Sequence, residues 1–238
     1  MEEKNKKTKN KAVVIAVIIV LLVIIGAVGG VVYNDLHQKS ILISEVNKLV
    51  ANKNLTVDSI DADNMKTTGK YAEVEKAIKT YLKEYAAEVE KMVDMAQDEK
   101  IINILSIDNY KNDGPEFNES LPYIEEMEKN LNETSEKVIK LMGKEEILGY
   151  INNYDLDDKY KELYKTLMLD EETEKKLEES QTQLKDSIDE YKESIQKIKD
   201  VLNFLKENKS GWEIQNNLVM FNSQELLSQY NKLTKELK

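Results

Sequence analysis

Residues 177–205 read LEESQTQLKDSIDEYKESIQKIKDVLNFL. The apolar side chains Leu177, Leu184, Ile188, Tyr191, Ile195, Ile198, Leu202 and Leu205 recur at steps of 7, 4, 3, 4, 3, 4 and 3. Alternating steps of three and four put every one of them on a single stripe of a helix, the a/d seam of a helix packed against other helices. Gln181 fills the one gap in the seam. The stretch holds no glycine or proline, and its remaining positions are mostly charged or amide residues, as a solvated outer face requires.

The same reading extends upstream. Tyr71, Val74, Ile78, Tyr81, Tyr85, Val89, Met92 and Ala96 fall at steps of 3, 4, 3, 4, 4, 3 and 4. They predict one long helix from about Gly69 to Leu105. Ile124, Met127, Leu131, Val138 and Leu141 predict another, which starts near Ser120 with Pro122 in its first turn and ends at Gly143 as the C′ residue. Leu36 to Asn52 is expected to be helical, with Leu36, Ile43, Val46 and Val50 on one face. Asn52–Thr68 is expected to be a loop with room for one helical turn, and Asp108–Phe117 a second loop. Lys144–Leu148 reads as a short turn closed by Gly149, and Asn152–Asp155 as a loop. Asp157 is expected to cap a helix carrying Tyr160, Leu163, Tyr164 and Leu167, and Asp170 to cap the helix of the opening stretch, which then runs to Lys209.

Beyond Gly211 the period changes from 3.6 to 2. Trp212 and Ile214 alternate, as do Val219 and Phe221, and Asn216-Asn217 between them suits a tight turn because asparagine tolerates positive φ. A two-stranded hairpin over about 212–221 is expected. Asn222-Ser223-Gln224-Glu225 reads as a capping box that opens a last helix with Leu226, Tyr230, Leu233 and Leu237 on one face.

At the other end, Ala12–Val32 reads AVVIAVIIVLLVIIGAVGGVV, 21 residues without a charge, a polar side chain or a proline. A helix of that length is about 32 Å long and matches the hydrocarbon core of a bilayer. The preceding eleven residues carry five lysines and two glutamates, a net +3, and the excess of lysine places this flank in the cytoplasm. The whole chain carries −11 and the span is neutral, so the remainder carries −14 and is expected outside the membrane. A cleaved signal peptide is the competing reading. Its apolar core usually runs about 7–15 residues, shorter than this run, so an uncleaved anchor is expected. Gly26 and Gly30 stand in the GxxxG spacing of close helix pairs, although glycine is common in membrane helices for other reasons.

The predicted organisation is therefore a basic cytoplasmic tail (1–11), a transmembrane helix (12–32) and an extracytoplasmic helical domain (33–238). The predicted fold class is all-α: one membrane helix followed by an elongated helical bundle or coiled-coil domain, with one small C-terminal β-hairpin. The chain has 8 glycines, 2 prolines and 33% charged residues, which suits long solvated helices. Zero cysteine in a domain placed outside the membrane fits a bacterial envelope that uses few disulfides. All 34 basic residues are lysine, so the bidentate guanidinium grip on phosphate is absent and nucleic acid is excluded as a partner. The N-x-S/T sequons at Asn54, Asn118, Asn132 and Asn208 are read as chance in an asparagine-rich chain.

No metal, cofactor or catalytic site is expected. His37 is the single histidine and has no cysteine to help it hold zinc, and a Ser-His-Asp triad would have to use it beside the lipid head groups, which argues against that chemistry. Thr67-Thr68-Gly69-Lys70 fails as a phosphate loop because Asn64 stands where glycine is needed and Tyr71 where Ser or Thr is needed. Asp58, Asp61, Asp63 and Asn64 form one small acidic cluster and Asp155, Asp157 and Asp158 another. An EF-hand loop starting at Asp61 fails at Met65 and Lys66, and both clusters are read as solvated loops with helix caps, weak calcium binding being the alternative. Most tyrosines fall in helical seams and read as core. Trp212, the only tryptophan, reads as a core plug beneath the hairpin, with the alternative that Trp212 and Phe221 anchor a partner.

The layout resembles single-pass bacterial membrane proteins with a helical extracytoplasmic domain, chemoreceptor-like four-helix sensors among them. Such a sensor would be closed by a second membrane helix, and Glu225–Lys238 is too short and too charged to be one. The expected function is a membrane-anchored scaffold or protein-interaction module of the cell envelope, without catalysis. Its partners would be the lipid bilayer and either another protein or a second copy of the chain. The alternative is a ligand-binding module that takes a small molecule or cell-wall fragment between helices.

Overall fold

A computed structural model describes residues 36–51, 56–235 and 237. The tail, the apolar run 12–32 and its Gly26–Gly30 pair lie outside the described residues. Among the described residues no helix is long and apolar enough to cross a membrane. The described chain is helical apart from one antiparallel hairpin. Its elements run α1 (Leu36–Ala51), a 3-10 turn (Val57–Ser59), α2 (Lys70–Ala96), α3 (Glu99–Asn103), α4 (Ile107–Asp113), α5 (Ser120–Leu141), α6 (Lys144–Asn152), α7 (Asp158–Met168), α8 (Glu171–Glu207), β1 (Trp212–Gln215), β2 (Leu218–Phe221) and α9 (Gln224–Lys235).

The seams are the core. All eight apolar seam residues of α8 are buried, as are those of α2 from Val74 to Ala96 and those of α5 from Ile124 to Leu141. In α5 the step between Leu131 and Val138 is filled by buried Thr134 and Ser135, and in α8 the step between Leu177 and Leu184 holds buried Ser180 beside half-buried Gln181, with buried Thr173 one turn before Leu177. Small hydroxyl residues let helices approach at points where a large side chain would hold them apart.

Several boundaries differ from those expected. The predicted helix over 69–105 breaks after Ala96, because the Asp98 carboxylate accepts from the Lys100 and Ile101 amides and starts α3 as a new helix. The region 108–117, expected as a loop, holds α4: Ser106 caps it by accepting from the Asn109 amide, and Tyr110 buries its ring. Gly143 does not end α5 in the left-handed region. It sits at φ −74° as the N-cap of α6, which runs on through Gly149 to Asn152. Asp157 holds the N-cap position of α7 without a side-chain capping bond, whereas the Asp170 carboxylate caps α8 by accepting from the Thr173 amide at 2.8 Å. α8 stops at Glu207, and α9 is capped one residue later than expected, by the Ser223 hydroxyl accepting from the Leu226 amide. In α1 the buried stripe centres on Leu42, Val46 and Leu49, and Ile43 is half-buried at its edge.

The described residues form two compact units. One comprises Asp94–Glu133 with Asp186–Lys238, the other residues 36–93 with Thr134–Lys185. In the first, the Tyr191 hydroxyl donates to the Met95 carbonyl at 2.9 Å, and Lys199 pairs with Glu128 at 2.9 Å. In the second, a tyrosine group takes the place of a purely aliphatic core. The Tyr81 hydroxyl donates to the Leu141 carbonyl and that of Tyr164 to the Ile147 carbonyl, and Tyr81 meets Tyr150 edge-on at 5.3 Å.

Candidate functional site

The hairpin begins where the periodicity changes, and its register is Trp212↔Phe221, Glu213↔Met220, Ile214↔Val219 and Gln215↔Leu218. Asn216 and Asn217 take φ of 51° and 59°, the two positive values that a type I′ turn demands. A side-chain period of 2 then divides the ribbon into two faces. Trp212, Ile214, Val219 and Phe221 occupy the half-buried face. Glu213, Gln215, Leu218 and Met220 occupy the other face and are exposed.

The inner face rests on an aromatic base. Trp212 lies nearly parallel to Phe117 with centroids 6.3 Å apart, and edge-on to Tyr110 at 6.1 Å. Its indole N–H donates to the Leu205 carbonyl at 2.7 Å. That carbonyl belongs to the last turn of α8, where helix carbonyls lack intrahelical partners. Phe221 packs on Phe204 at 6.3 Å and on Tyr230 of α9 at 5.1 Å.

The chain bends sharply to build this base. Phe117 is fully buried at φ 50°, a conformation that costs a residue with a Cβ about 1–2 kcal/mol and that burial of its ring offsets. Gly114 lies so close that a Cβ there would meet the Tyr110 carbonyl oxygen and stand 3.1 Å from the Trp212 ring. Lys111 donates to the Asn217 side chain at 2.6 Å, fixing the turn from outside, and Lys209 pairs with Glu116 at 2.6 Å. Burial, with Tyr230 beside it, pushes the Tyr110 hydroxyl well above the usual phenol range.

The two residues singled out in the sequence, Trp212 and Phe221, thus lie together on the inner face. Sequence reading missed the outer face. Leu218 is 61% exposed and Met220 46%, and they are the two exposed large apolar side chains among the described residues. The signal was present: residues 218–221 read Leu-Val-Met-Phe, an apolar run on both faces of a strand with one side in water.

The remaining candidates fall elsewhere. His37 is exposed. Asp61 accepts from the Asp63 and Asn64 amides, an ordinary turn bond. Thr67 gives both its amide and its hydroxyl to the Glu75 carboxylate. No group of three or more His, Cys, Asp or Glu among the described residues is placed to hold a metal ion. A shallow depression of about 150 Å³, lined by Gly143, Lys144, Leu169, Glu174, Leu177 and Gln181 among others, is small beside the roughly 300–1,000 Å³ of small-molecule sites.

Compared with protein families, curated proteins and solved structures, the chain gives no match to any of the three.

Proposed function

We propose that the chain is a membrane-anchored helical scaffold or protein-interaction module of a bacterial cell envelope, held by residues 12–32 with its C-terminal domain outside, and that it works by contact without catalysis. The apolar run and its lysine-rich flank support the anchor and its direction. The observation that carries the contact reading is the outer face of the hairpin. Leu218 and Met220 project into solvent beside Glu213 and Gln215, on a ribbon whose inner face is already used. A small sheet with an apolar outer face gains by being covered. The aromatic base supports the same reading, because it holds the ribbon rigid and a rigid patch loses little entropy on binding. The depression at Gly143–Gln181 lends the ligand-binding alternative no support, being too small to enclose a cell-wall fragment.

Two measurements test the reading. Protease added to intact protoplasts should remove residues 33–238 and spare the tail; survival of the C-terminal part would reverse the orientation. Cross-linking of the tagged full chain in intact cells should give a discrete adduct that Leu218→Ser/Met220→Ser loses while its melting temperature stays within a few degrees of the parent. An adduct undiminished by the double change would remove the hairpin from the contact.

A further inference from the structure

Charges buried in a helical core need partners, and one cluster in the unit containing residues 36–93 is built wholly of them. Glu75 and Lys79, one turn apart on α2, are each 1% exposed and pair at 2.7 Å. The Lys79 ammonium also meets Glu45 of α1 at 3.0 Å and the Asn64 carbonyl at 3.0 Å. The Glu75 carboxylate accepts from the Lys66 amide at 2.9 Å, the Thr67 amide at 2.8 Å and the Thr67 hydroxyl at 2.7 Å. Three parts of the chain therefore meet on one ion pair: α1, the connection over 64–67, and α2. Two outlying bonds continue the strap, from the Val57 amide to Glu90 and from the Thr68 amide to Gln38.

We infer that Glu75 and Lys79 form an acid-labile clasp whose protonation releases residues 61–68 and α1 from α2 before the rest of the fold opens. The groups facing the pair are Glu45 from α1 and the Asn64 carbonyl with the Lys66 and Thr67 donors from the connection; the Asp61, Asp63 and Lys66 side chains are exposed. Every donor on Glu75 requires an acceptor, and the ammonium requires at least one carboxylate. Protonating Glu75 converts one acceptor oxygen to a donor that points at other donors, and leaves Lys79 with Glu45 as its one carboxylate beside the Asn64 carbonyl. Little apolar packing holds the segment otherwise: within residues 61–68 Thr67 is the buried residue, Ala62 and Met65 are half-buried, and Ile60 is buried just before it. By contrast, α2 and α8 keep long apolar seams at any pH.

The acidity of the cluster has a definite direction. Burial would push the Glu75 carboxyl up, but the Lys79, Lys66 and Thr67 donors outweigh it and hold the group below its ordinary value of 4.5. Burial would push Lys79 down, but Glu75 and Glu45 outweigh it and hold the amine above its ordinary 10.5. The Glu75 contribution is therefore present above 4.5 and is lost as pH falls through its lowered value.

Hydrogen exchange of the full chain in detergent, corrected for the intrinsic pH dependence of exchange, reads this directly. From about pH 7 to about pH 3, protection at Lys66 and Thr67 should fall roughly tenfold or more while Ile195 and Leu202 of α8 keep theirs. Glu75→Gln should open the connection at neutral pH and abolish the pH dependence. Lys79→Gln removes the donor that most lowers Glu75, so the midpoint of opening should move to higher pH, which a merely structural role would not produce. If Glu75→Gln fails to fold, the wild-type titration and Lys79→Gln decide. Loss of protection in α8 at the same pH as at Lys66, or an unmoved midpoint in Lys79→Gln, would overturn the inference.

Discussion

The indole N–H of Trp212 donates to the carbonyl oxygen of Leu205 at 2.7 Å, which ties the first residue of the hairpin to the last turn of α8. Removing the donor while keeping an aromatic ring isolates this bond. Trp212→Phe leaves the Leu205 carbonyl without its partner and should cost about 1–3 kcal/mol. Trp212→Ala removes the stack on Phe117 as well and should cost more, approaching the roughly 3–5 kcal/mol of a fully buried tryptophan. Urea unfolding followed by circular dichroism checks both; equal costs for the two changes would assign the loss to the hydrogen bond alone.

Two neighbouring tyrosines of α2 should respond with opposite sign. The Tyr81 hydroxyl donates to the Leu141 carbonyl at 3.2 Å, whereas the Tyr85 hydroxyl is buried without a hydrogen-bond partner among the described residues. Tyr81→Phe should destabilise by about 1 kcal/mol, and Tyr85→Phe should be neutral or stabilise by about 1 kcal/mol, because it removes a desolvated polar atom. The melting temperatures of the two variants, compared with the parent, decide.

The seam of α8 predicts a steep contrast between positions. Ile195 is fully buried, and Ile195→Asp would place an unpaired charge in the core, at about 3–5 kcal/mol. Glu178 is exposed, and Glu178→Ala should shift stability by less than about 0.5 kcal/mol. Similar thermal effects at the two positions would mean that α8 does not pack along this stripe.

Alkali should unfold the chain through its buried phenols. Burial, with Asp98 nearby, pushes the Tyr191 hydroxyl up from 10.0 to about 12, and burial pushes Tyr81, Tyr85 and Tyr164 higher still. A group held neutral in the fold but ionised when unfolded stabilises the fold fully below its ordinary value, and that stability is lost as pH rises through the raised one. Tyrosinate absorbance should therefore rise in two stages, the exposed phenols first and the buried ones together with loss of helical dichroism. A single gradual rise without loss of helix would contradict the packing of these rings.

What the sequence disclosed and what it withheld follow from the range of each signal. Seams were legible because burial repeats every 3.6 residues, and the hairpin because Asn216-Asn217 and the alternation around it have no helical meaning. The break at Asp98 lacks the usual punctuation, because residues 97–105 hold no glycine or proline; its one mark is that the seam itself lapses, with Glu99, Lys100 and Asn103 standing three, four and seven residues past Ala96. α4 was hidden because Asn109, Asn112 and Asp113 are turn formers locally, while the burial of Tyr110 that holds the helix is a tertiary effect. The Glu75–Lys79 pair looked like any solvated i,i+4 pair among 34 lysines and 45 acids. Its one mark is its place in a second stripe with Leu82 and Ala86, both buried. Of the candidate surface, Trp212 and Phe221 stood out by type, but the exposure of Leu218 and Met220 depends on which face the helices cover, a property of the assembled fold.

The most direct test of the contact reading is a photo-reactive amino acid placed at Met220 in the full chain, in living cells, with Glu178 as the control position. Both side chains are exposed, and they differ in that Met220 belongs to the apolar outer face of the hairpin. The account predicts one discrete cross-linked species from position 220 and none from position 178, with the species lost when Leu218 is also changed to serine. No adduct at 220, or the same adduct from both positions, would contradict it.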